Sequence, residues 1–195
     1  MAGPAQPFKA PPHPAGAPSG TPFTNSVPTL SRDERKDWIY AQFISDNVPD
    51  WLRTLQPISV SVAGQTTTYH VIPDYRAIGT DGDYFLELTA PLLAQRLGDR
   101  LGYPLPTCKM GKQIGTNTAV KPAPAPLAPS AETITVPVCA QHNAMVRAQR
   151  DAVTNSQPRG VLVRGDKKDV VRETLIKKIS PSKPPSVISP QWHLI

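Results

Sequence analysis

Proline limits what this chain can fold into, because its 24 prolines are concentrated in three stretches. Residues 1–30 hold eight of them, residues 122–129 hold four and residues 181–190 hold four. Proline donates no backbone hydrogen bond, and these stretches have few large apolar side chains to offset the entropy lost on ordering. We therefore expect a disordered proline-rich arm over 1–30, one domain over 31–176 and a disordered basic tail over 177–195.

The pattern between the two ends is typical of an α+β domain. Ser31 and Glu34 have the spacing of a capping box, which predicts a helix over about 32–45. Alternating apolar residues over 57–88 predict four short antiparallel strands in one small meander, with a hairpin turn at Asp81-Gly82. We expect the helices to pack on one face of this sheet.

Further helices and short strands are expected after the sheet. Leucines at spacing four predict one helix, and a Thr N-cap predicts the next. A proline-rich spacer then crosses or separates the structure. The expected elements are helices at 89–101, 107–115 and 140–153, strands at 134–138 and 161–163, and the spacer at 120–130.

The net charge of +6 is located mainly in the C-terminal tail. Residues 1–157 carry 13 Lys+Arg against 12 Asp+Glu, whereas residues 158–195 carry 8 against 3. A basic tail contacts any polyanion through charge alone, but no aromatic residues interleave with the basic ones. We therefore expect no nucleic-acid partner, and a protein partner bound through the arms is the open alternative.

Targeting and cofactor signals are missing from the sequence. No apolar run reaches the ~18 residues that a membrane span needs, and the first residues lack the apolar core of a secretory signal. Cys108 and Cys139 are too few for a disulfide scaffold, although a single bridge between them stays open. We expect a cytoplasmic protein with no membrane contact and, because no phosphate or dinucleotide loop is found, no cofactor.

His142 is the first candidate for chemistry. It follows Cys139 by three residues, which is a zinc-compatible spacing, but no second close pair completes a site, so we expect no metal. An imidazole titrates near neutral pH and can serve as a general base. The alternative is a histidine that only caps or hydrogen-bonds within its helix.

Carboxylates and lysines supply the other candidates. Asp74, Asp81 and Asp83 surround the predicted turns, where they could act as acid and base or bind calcium, although hairpin chemistry alone explains the last two. Lys167 and Lys168 could hold a phosphate or a carboxylate, or could belong to a solvated turn. The candidate catalytic set is therefore His142, Asp74, Lys167 and Lys168.

Four blocks of the sequence resemble an uncharacterised, mostly bacterial protein family that has no assigned activity. The blocks are PDYRAIGTDGDYF (73–85), LPTCKMGKQI (105–114), TITVPVCAQHNAMVRAQR (133–150) and GVLVRGDKKDVV (160–171). The resemblance covers about 47–171 and implies recurring positions at Asp74, Tyr75, Lys109, Met110, His142, Asn143, Lys167 and Lys168. The C-terminus departs from the family and is expected to be truncated or divergent.

The sequence leaves two classes of function open. The first is a hydrolase-like domain of unassigned substrate, incomplete at its C-terminus, with His142 as base and Asp74 or the lysine pair assisting. It predicts that these side chains meet in one concave pocket. The second is a non-catalytic binding or structural protein that acts through its proline-rich and basic arms. It predicts that the polar residues are scattered.

Overall fold

The computed structural model describes residues 6–7, 13–27, 30–87, 91–128 and 135–164. Five α-helices and five strands lie within these ranges, together with one 3₁₀ turn at Asp50–Arg53, which confirms the α+β class. The helices are α1 (Gly20–Ser26), α2 (Arg32–Ile44), α3 (Pro91–Leu101), α4 (Cys108–Asn117) and α5 (Val136–Ala152). The strands are β1 (Gln6–Pro7), β2 (Thr54–Val62), β3 (Gln65–Val71), β4 (Ala77–Gly79) and β5 (Tyr84–Leu86).

The four strands predicted over 57–88 are present and pair antiparallel, but they form two sheets where one was expected. β2 and β3 form a long hairpin that closes at Ala63 and Gly64, which both have positive φ. β4 and β5 form a separate short hairpin. Pro73 lies between the two hairpins, and because it has no N–H to donate it cannot continue the ladder of β3.

The prediction of a disordered N-terminal arm is wrong for residues 20–27. They form α1 and the residue after it, and Phe23 and Val27 bury their side chains beside Phe43, Ile78 and Phe85. The average composition of the arm concealed this helix, since one aromatic and one aliphatic residue at spacing four are enough to dock a short helix on a preformed core.

The start of α1 is fixed against the β4–β5 hairpin. A Cβ at Gly20 would lie 2.4 Å from the carbonyl carbon of Tyr84, so only glycine fits there. The carboxylate of Asp83 accepts hydrogen bonds from Ser19 Oγ at 2.7 Å and from Thr21 N–H at 2.9 Å. Asp83 therefore anchors α1, which accounts for one of the candidate carboxylates.

The helices α2 and α3 follow the predicted pattern and supply much of the core. The capping box of α2 is formed reciprocally by Ser31 and Glu34. Phe43 of α2 is buried in the same cluster as Leu93 and Leu97 of α3. Leu93 and Leu97 belong to the stripe of leucines at spacing four, and this stripe forms the inner face of α3.

Two predicted strands in the C-terminal half are corrected. Residues 136–138 belong to the first turn of α5, where Pro137 is tolerated because its missing N–H has no helical partner. The alternation of β-branched residues there had indicated a strand. Val161–Val163 contribute only a single parallel bridge, between Val163 and Val120.

None of the helices in the described ranges is long and apolar enough to cross a membrane.

The segment that follows α4 lies along α5. Ala123 donates its N–H to Gln149 Oε1 at 2.7 Å and accepts a hydrogen bond from Gln149 Nε2 at 3.2 Å. One glutamine side chain thus satisfies both backbone groups of a residue in the proline-rich spacer. The spacer is therefore held against α5 at Ala123.

Replacing Phe23 by alanine tests whether α1 belongs to the folded body. We expect Phe23→Ala to lower the free energy of unfolding by roughly 3–5 kcal/mol, because it removes a fully buried aromatic ring. Leu92→Ala, at a side chain that is 85% exposed, is the control and should cost less than about 0.5 kcal/mol. Urea unfolding at neutral pH measures both values. A Phe23→Ala variant as stable as the control would contradict the assignment of α1 to the core.

Candidate functional site

Asp74 lies in a buried position between β3 and β4. It is 5% exposed, and its Oδ1 accepts the N–H of Tyr75 at 2.7 Å. Its Oδ2 lies 3.6 Å from Nε of Arg150, near the C-terminal end of α5. The sequence candidate Asp74 is therefore one half of a buried ion pair, whose partner Arg150 was not predicted.

Arg150 uses its terminal nitrogens to hold the chain that follows α5. It is 2% exposed. Nη1 donates to the carbonyl of Gln157 at 2.7 Å, and Nη2 donates to the carbonyl of Pro158 at 2.6 Å. The guanidinium thus connects α5 to the turn that follows it and to the β3–β4 loop, which is distant in sequence. This is the multiple hydrogen bonding for which a planar, permanently charged guanidinium is suited.

An aromatic pair with two further arginines lies next to this ion pair. The rings of Trp51 and Tyr84 meet edge to face with centroids 5.4 Å apart. The guanidinium carbons of Arg147 and Arg159 lie 4.3 Å and 4.9 Å from the Tyr84 ring centroid. Such cation–π contacts are worth up to about 2 kcal/mol when they are desolvated. The aromatic side chains therefore stabilise positive charge at the edge of the site.

A small cavity separates Asp74 from Tyr84. The space open to the centre of a water molecule is about 10 Å³, near the minimum that one water needs. Tyr84 Oη and Arg150 Nε are buried and have no hydrogen-bond partner of standard geometry among the described residues. The lining consists of Asp74, Tyr75, Tyr84, Leu86, Pro122, Val146, Arg150, Arg159 and Val163.

Burial dominates the electrostatics of the pair. It raises the pKa of Asp74 to about 6, although the Tyr75 N–H and the charges of Arg150 and Arg159 all favour the carboxylate. Burial also lowers the pKa of Arg150, which Asp74 opposes. Both shifts have the same cause, since taking two charges out of water costs more than their mutual attraction returns.

The other predicted site residues are not part of this cavity. His142 is half-buried on α5, eight residues before Arg150, which corresponds to about 12 Å along the helix axis. It does not line the cavity. Lys167 and Lys168 lie outside the described residues. The chain is described as far as Arg164, and the preceding Val163 donates its N–H to the carbonyl of Pro73 at 2.7 Å, beside Asp74.

Asn143, the neighbour of His142, has a structural role. Its Oδ1 accepts the N–H of Leu86 at 2.9 Å, and its Nδ2 donates to the carbonyl of Tyr84 at 3.4 Å. Arg147 donates to the same carbonyl at 3.1 Å. These two side chains of α5 thus satisfy the open edge of β5, which a strand of three residues cannot do alone.

A second group of titratable residues lies between α2, β5 and α5. Burial raises the pKa of Glu87 to about 7 against the charge of Arg35, and burial together with Glu87 raises the pKa of the Cys139 thiol. Cys108 and Cys139 are both free thiols. Within the described ranges no three His, Cys, Asp or Glu side chains are grouped as a metal site would require.

Of the residues at this site, Asp74 was predicted from the sequence, whereas the arginines and the aromatic pair around it were not. The available signal was helical spacing on α5, because Asn143, Val146, Arg147 and Arg150 recur at intervals of three and four. That spacing places three polar residues on the inner stripe of a helix.

Asp81 was the remaining carboxylate candidate, and it accepts the backbone N–H of Asp50 at 2.6 Å.

No protein-family model, curated protein or solved structure matches this chain. The resemblance to an uncharacterised bacterial family, and the recurring positions that it implies, stay a prediction.

Replacing Asp74 by asparagine tests the direction of its pKa shift. Because the pKa of Asp74 is raised in the folded state, folding favours the protonated carboxyl. The stability that Asp74 contributes in this way is complete below about pH 4 and is lost as the pH rises through 6. A shift from 3.8 to about 6 corresponds to roughly 3 kcal/mol. Because asparagine cannot ionise, the stability of Asp74→Asn relative to the wild type should rise by roughly 2–3 kcal/mol as the pH is raised from 4.5 to 7.5, whatever the substitution itself costs.

Urea unfolding at several pH values measures this effect. The exposed Asp99→Asn is the control and should follow the pH dependence of the wild type. If Asp74→Asn also follows the wild type, Asp74 is ionised throughout this range and Arg150 compensates fully for its burial.

Proposed function

We propose that this chain is a non-catalytic binding protein, whose Asp74–Arg150 pair holds the body closed. One observation carries the proposal: Asp74 and Arg150, the charged pair that lines the cavity, are enclosed and are occupied in joining segments of the chain. Both terminal nitrogens of Arg150 donate hydrogen bonds, one to the carbonyl of Gln157 and one to the carbonyl of Pro158. A group that positions backbone in this way is not free to contact a substrate.

The size of the cavity supports the same proposal. Ligand sites for small molecules usually enclose about 300–1,000 Å³. The space between Asp74 and Tyr84 is that of one water molecule. A water there would find a donor at Arg150 Nε, an acceptor at Asp74 and a hydroxyl at Tyr84. The unpaired buried atoms are thus explained by a structural water without any substrate.

The body presents its binding surfaces outside this cavity. The arms were the expected binding elements, but residues 20–27 of the N-terminal arm are part of the core and are not available to a partner. We therefore propose that a partner binds to the surface of the described body and to the remaining parts of the terminal segments. We also propose a cytoplasmic location, which the two free cysteines support.

A hydrolase-like activity is the second candidate, and one observation favours it. The pKa of Asp74 is about 6, which suits a general base near neutral pH, and it adjoins the Tyr84 hydroxyl and Arg150 Nε–H, neither of which makes a hydrogen bond of standard geometry among the described residues. Asp74 would then activate the water in the cavity, and Tyr84 and Arg150 would stabilise developing negative charge. This activity requires the cavity to open so that a substrate can reach Asp74.

Chemical labelling of carboxyl groups separates the two candidates without a known substrate. The full chain is treated with a water-soluble carbodiimide and glycinamide at pH 6, and labelled peptides are quantified over time by mass spectrometry. Asp37 and Asp151, whose side chains are 69% and 57% exposed, are the internal references. We expect Asp74 to react at least about ten-fold more slowly, because every 1.4 kcal/mol of opening free energy lowers the rate tenfold.

The raised pKa of Asp74 makes this comparison stringent. Carbodiimides react through the protonated carboxyl, which is more abundant at pH 6 for Asp74 than for an acid of ordinary pKa. An accessible Asp74 would therefore react faster than the references. Slow labelling supports a closed site, whereas labelling at or above the reference rate would overturn the non-catalytic proposal in favour of the hydrolase-like one.

A further inference from the structure

Four basic residues gather around α4 on a part of the surface that we call the basic face. It consists of Lys109, Lys112, Lys121 and Arg164. We propose that the basic face binds the phosphate backbone of a double-stranded nucleic acid. This inference rests on the proposed binding function and names its partner.

The charges of the basic face are separated from acidic residues in the sequence. Residues 101–128 contain three lysines and no Asp or Glu, and residues 160–164 contain Arg164 and no Asp or Glu. The hairpin on which α4 packs, within residues 54–73, carries no Asp, Glu, Lys or Arg. Among the described residues, three stretches free of carboxylates thus meet in one part of the fold.

Most other cations of the described body are neutralised locally. The pairs are Lys36–Asp33, Arg53–Asp46, Arg96–Asp37, Arg147–Asp83, Arg150–Asp74 and Arg159–Asp151. By contrast, no described carboxylate lies within salt-bridge distance of the four residues of the basic face. The nearly neutral charge of the body therefore conceals a local excess of positive charge.

The fold brings these four residues onto neighbouring segments. Gly111 and Ile114 form the buried side of α4, and Lys109 and Lys112 are exposed on its other side. Nη1 of Arg164 donates to the carbonyl of Gly111. The guanidinium of Arg164 also lies against Gly115, where any side-chain carbon would collide with it.

Lys121 joins this group through the backbone. Arg164 donates its N–H to the carbonyl of Val120 at 3.0 Å, and Val120 and Val163 form a parallel bridge. Lys121 and Arg164 therefore follow paired residues on adjacent segments. Like charges on neighbouring positions destabilise a fold slightly, and a polyanion relieves that repulsion by supplying the missing counter-charge.

The scarcity of free aromatic rings beside the basic face argues for a duplex. Residues 104–164 contain no Phe, Trp or Tyr. Tyr69 of β3 does contact α4, but it is half-buried and its hydroxyl donates to Gln113 Oε1 at 3.0 Å, so it is engaged by the helix. Proteins that bind single strands without sequence preference combine a basic groove with such platforms. A face with cations alone can contact the phosphates of a duplex, whose bases are already stacked, and its binding would show no sequence preference.

The test measures binding of the full chain to a fluorescein-labelled DNA duplex of 20 base pairs by anisotropy. The salt concentration is varied from 50 to 200 mM. Three or four phosphate contacts predict a slope of log K against log salt of about −3 to −4. Lys109→Gln with Lys112→Gln should weaken binding at 50 mM roughly tenfold or more and reduce the slope by about 2.

Two matched variants control for net charge and for the tail. Lys36→Gln with Arg100→Gln removes the same two charges from α2 and α3 and should leave affinity within about twofold, because long-range charge alone is screened by salt. Lys177→Gln with Lys178→Gln removes two charges from the C-terminal segment. Urea unfolding of each variant verifies that it is folded before its binding is compared.

Four outcomes would overturn the proposal. The first is that the duplex shows no salt-dependent binding, and the second is that a single strand of the same length binds more tightly. The third is that the Lys36 and Arg100 variant weakens duplex binding as much as the Lys109 and Lys112 variant does. The fourth is that the Lys177 and Lys178 variant weakens it more. Equal competition by polyglutamate of matched charge would assign the basic face to an acidic protein. Slow labelling of Asp74 without duplex binding refutes this inference alone, whereas fast labelling with duplex binding refutes the non-catalytic proposal alone.

Discussion

The ion pair between Asp74 and Arg150 is the interaction on which the C-terminal half of the fold depends. It fixes the loop after β3 to α5, and the same guanidinium positions the carbonyls of Gln157 and Pro158. The pair is not a source of net stability, because burial raises the pKa of the carboxyl and lowers that of the guanidinium. Its value lies in selecting one arrangement, since removing either partner alone would leave an uncompensated buried charge, at about 3–5 kcal/mol.

The β4–β5 hairpin occupies the centre of this arrangement. Strands of three residues are not stable alone, so each side of this hairpin is completed by another element. Gly20 of α1 approaches the backbone of Tyr84 on one side, and Asn143 and Arg147 of α5 satisfy the edge of β5 on another. The N-terminal helix and the C-terminal helix therefore depend on the same three-residue strand, which couples the two ends of the described chain.

Features that depend on neighbouring residues could be predicted from the sequence. The cap at Ser31 and Glu34, the leucine stripe of α3 and the alternation in β2 and β3 are all local patterns. The docking of α1 and the partner of Asp74 depend on residues far apart in the chain, and no local pattern encodes such a pairing. His142 was selected for the chemistry of imidazole, whereas the residues that organise the site are Asn143, Arg147 and Arg150, selected by their position on the inner stripe of α5.

Charge shows most clearly why three-dimensional placement matters. Counted along the chain, the net charge of +6 lies mainly in the C-terminal tail. In the folded structure these charges fall into two groups. Arg147, Arg150 and Arg159 contact carboxylates. Lys109, Lys112 and Lys121 contact no carboxylate among the described residues. The arginines that contact carboxylates serve the fold, whereas the three lysines lie exposed and unmatched on its surface. A count of charges along the chain therefore cannot distinguish a cation that holds segments together from one that faces solvent.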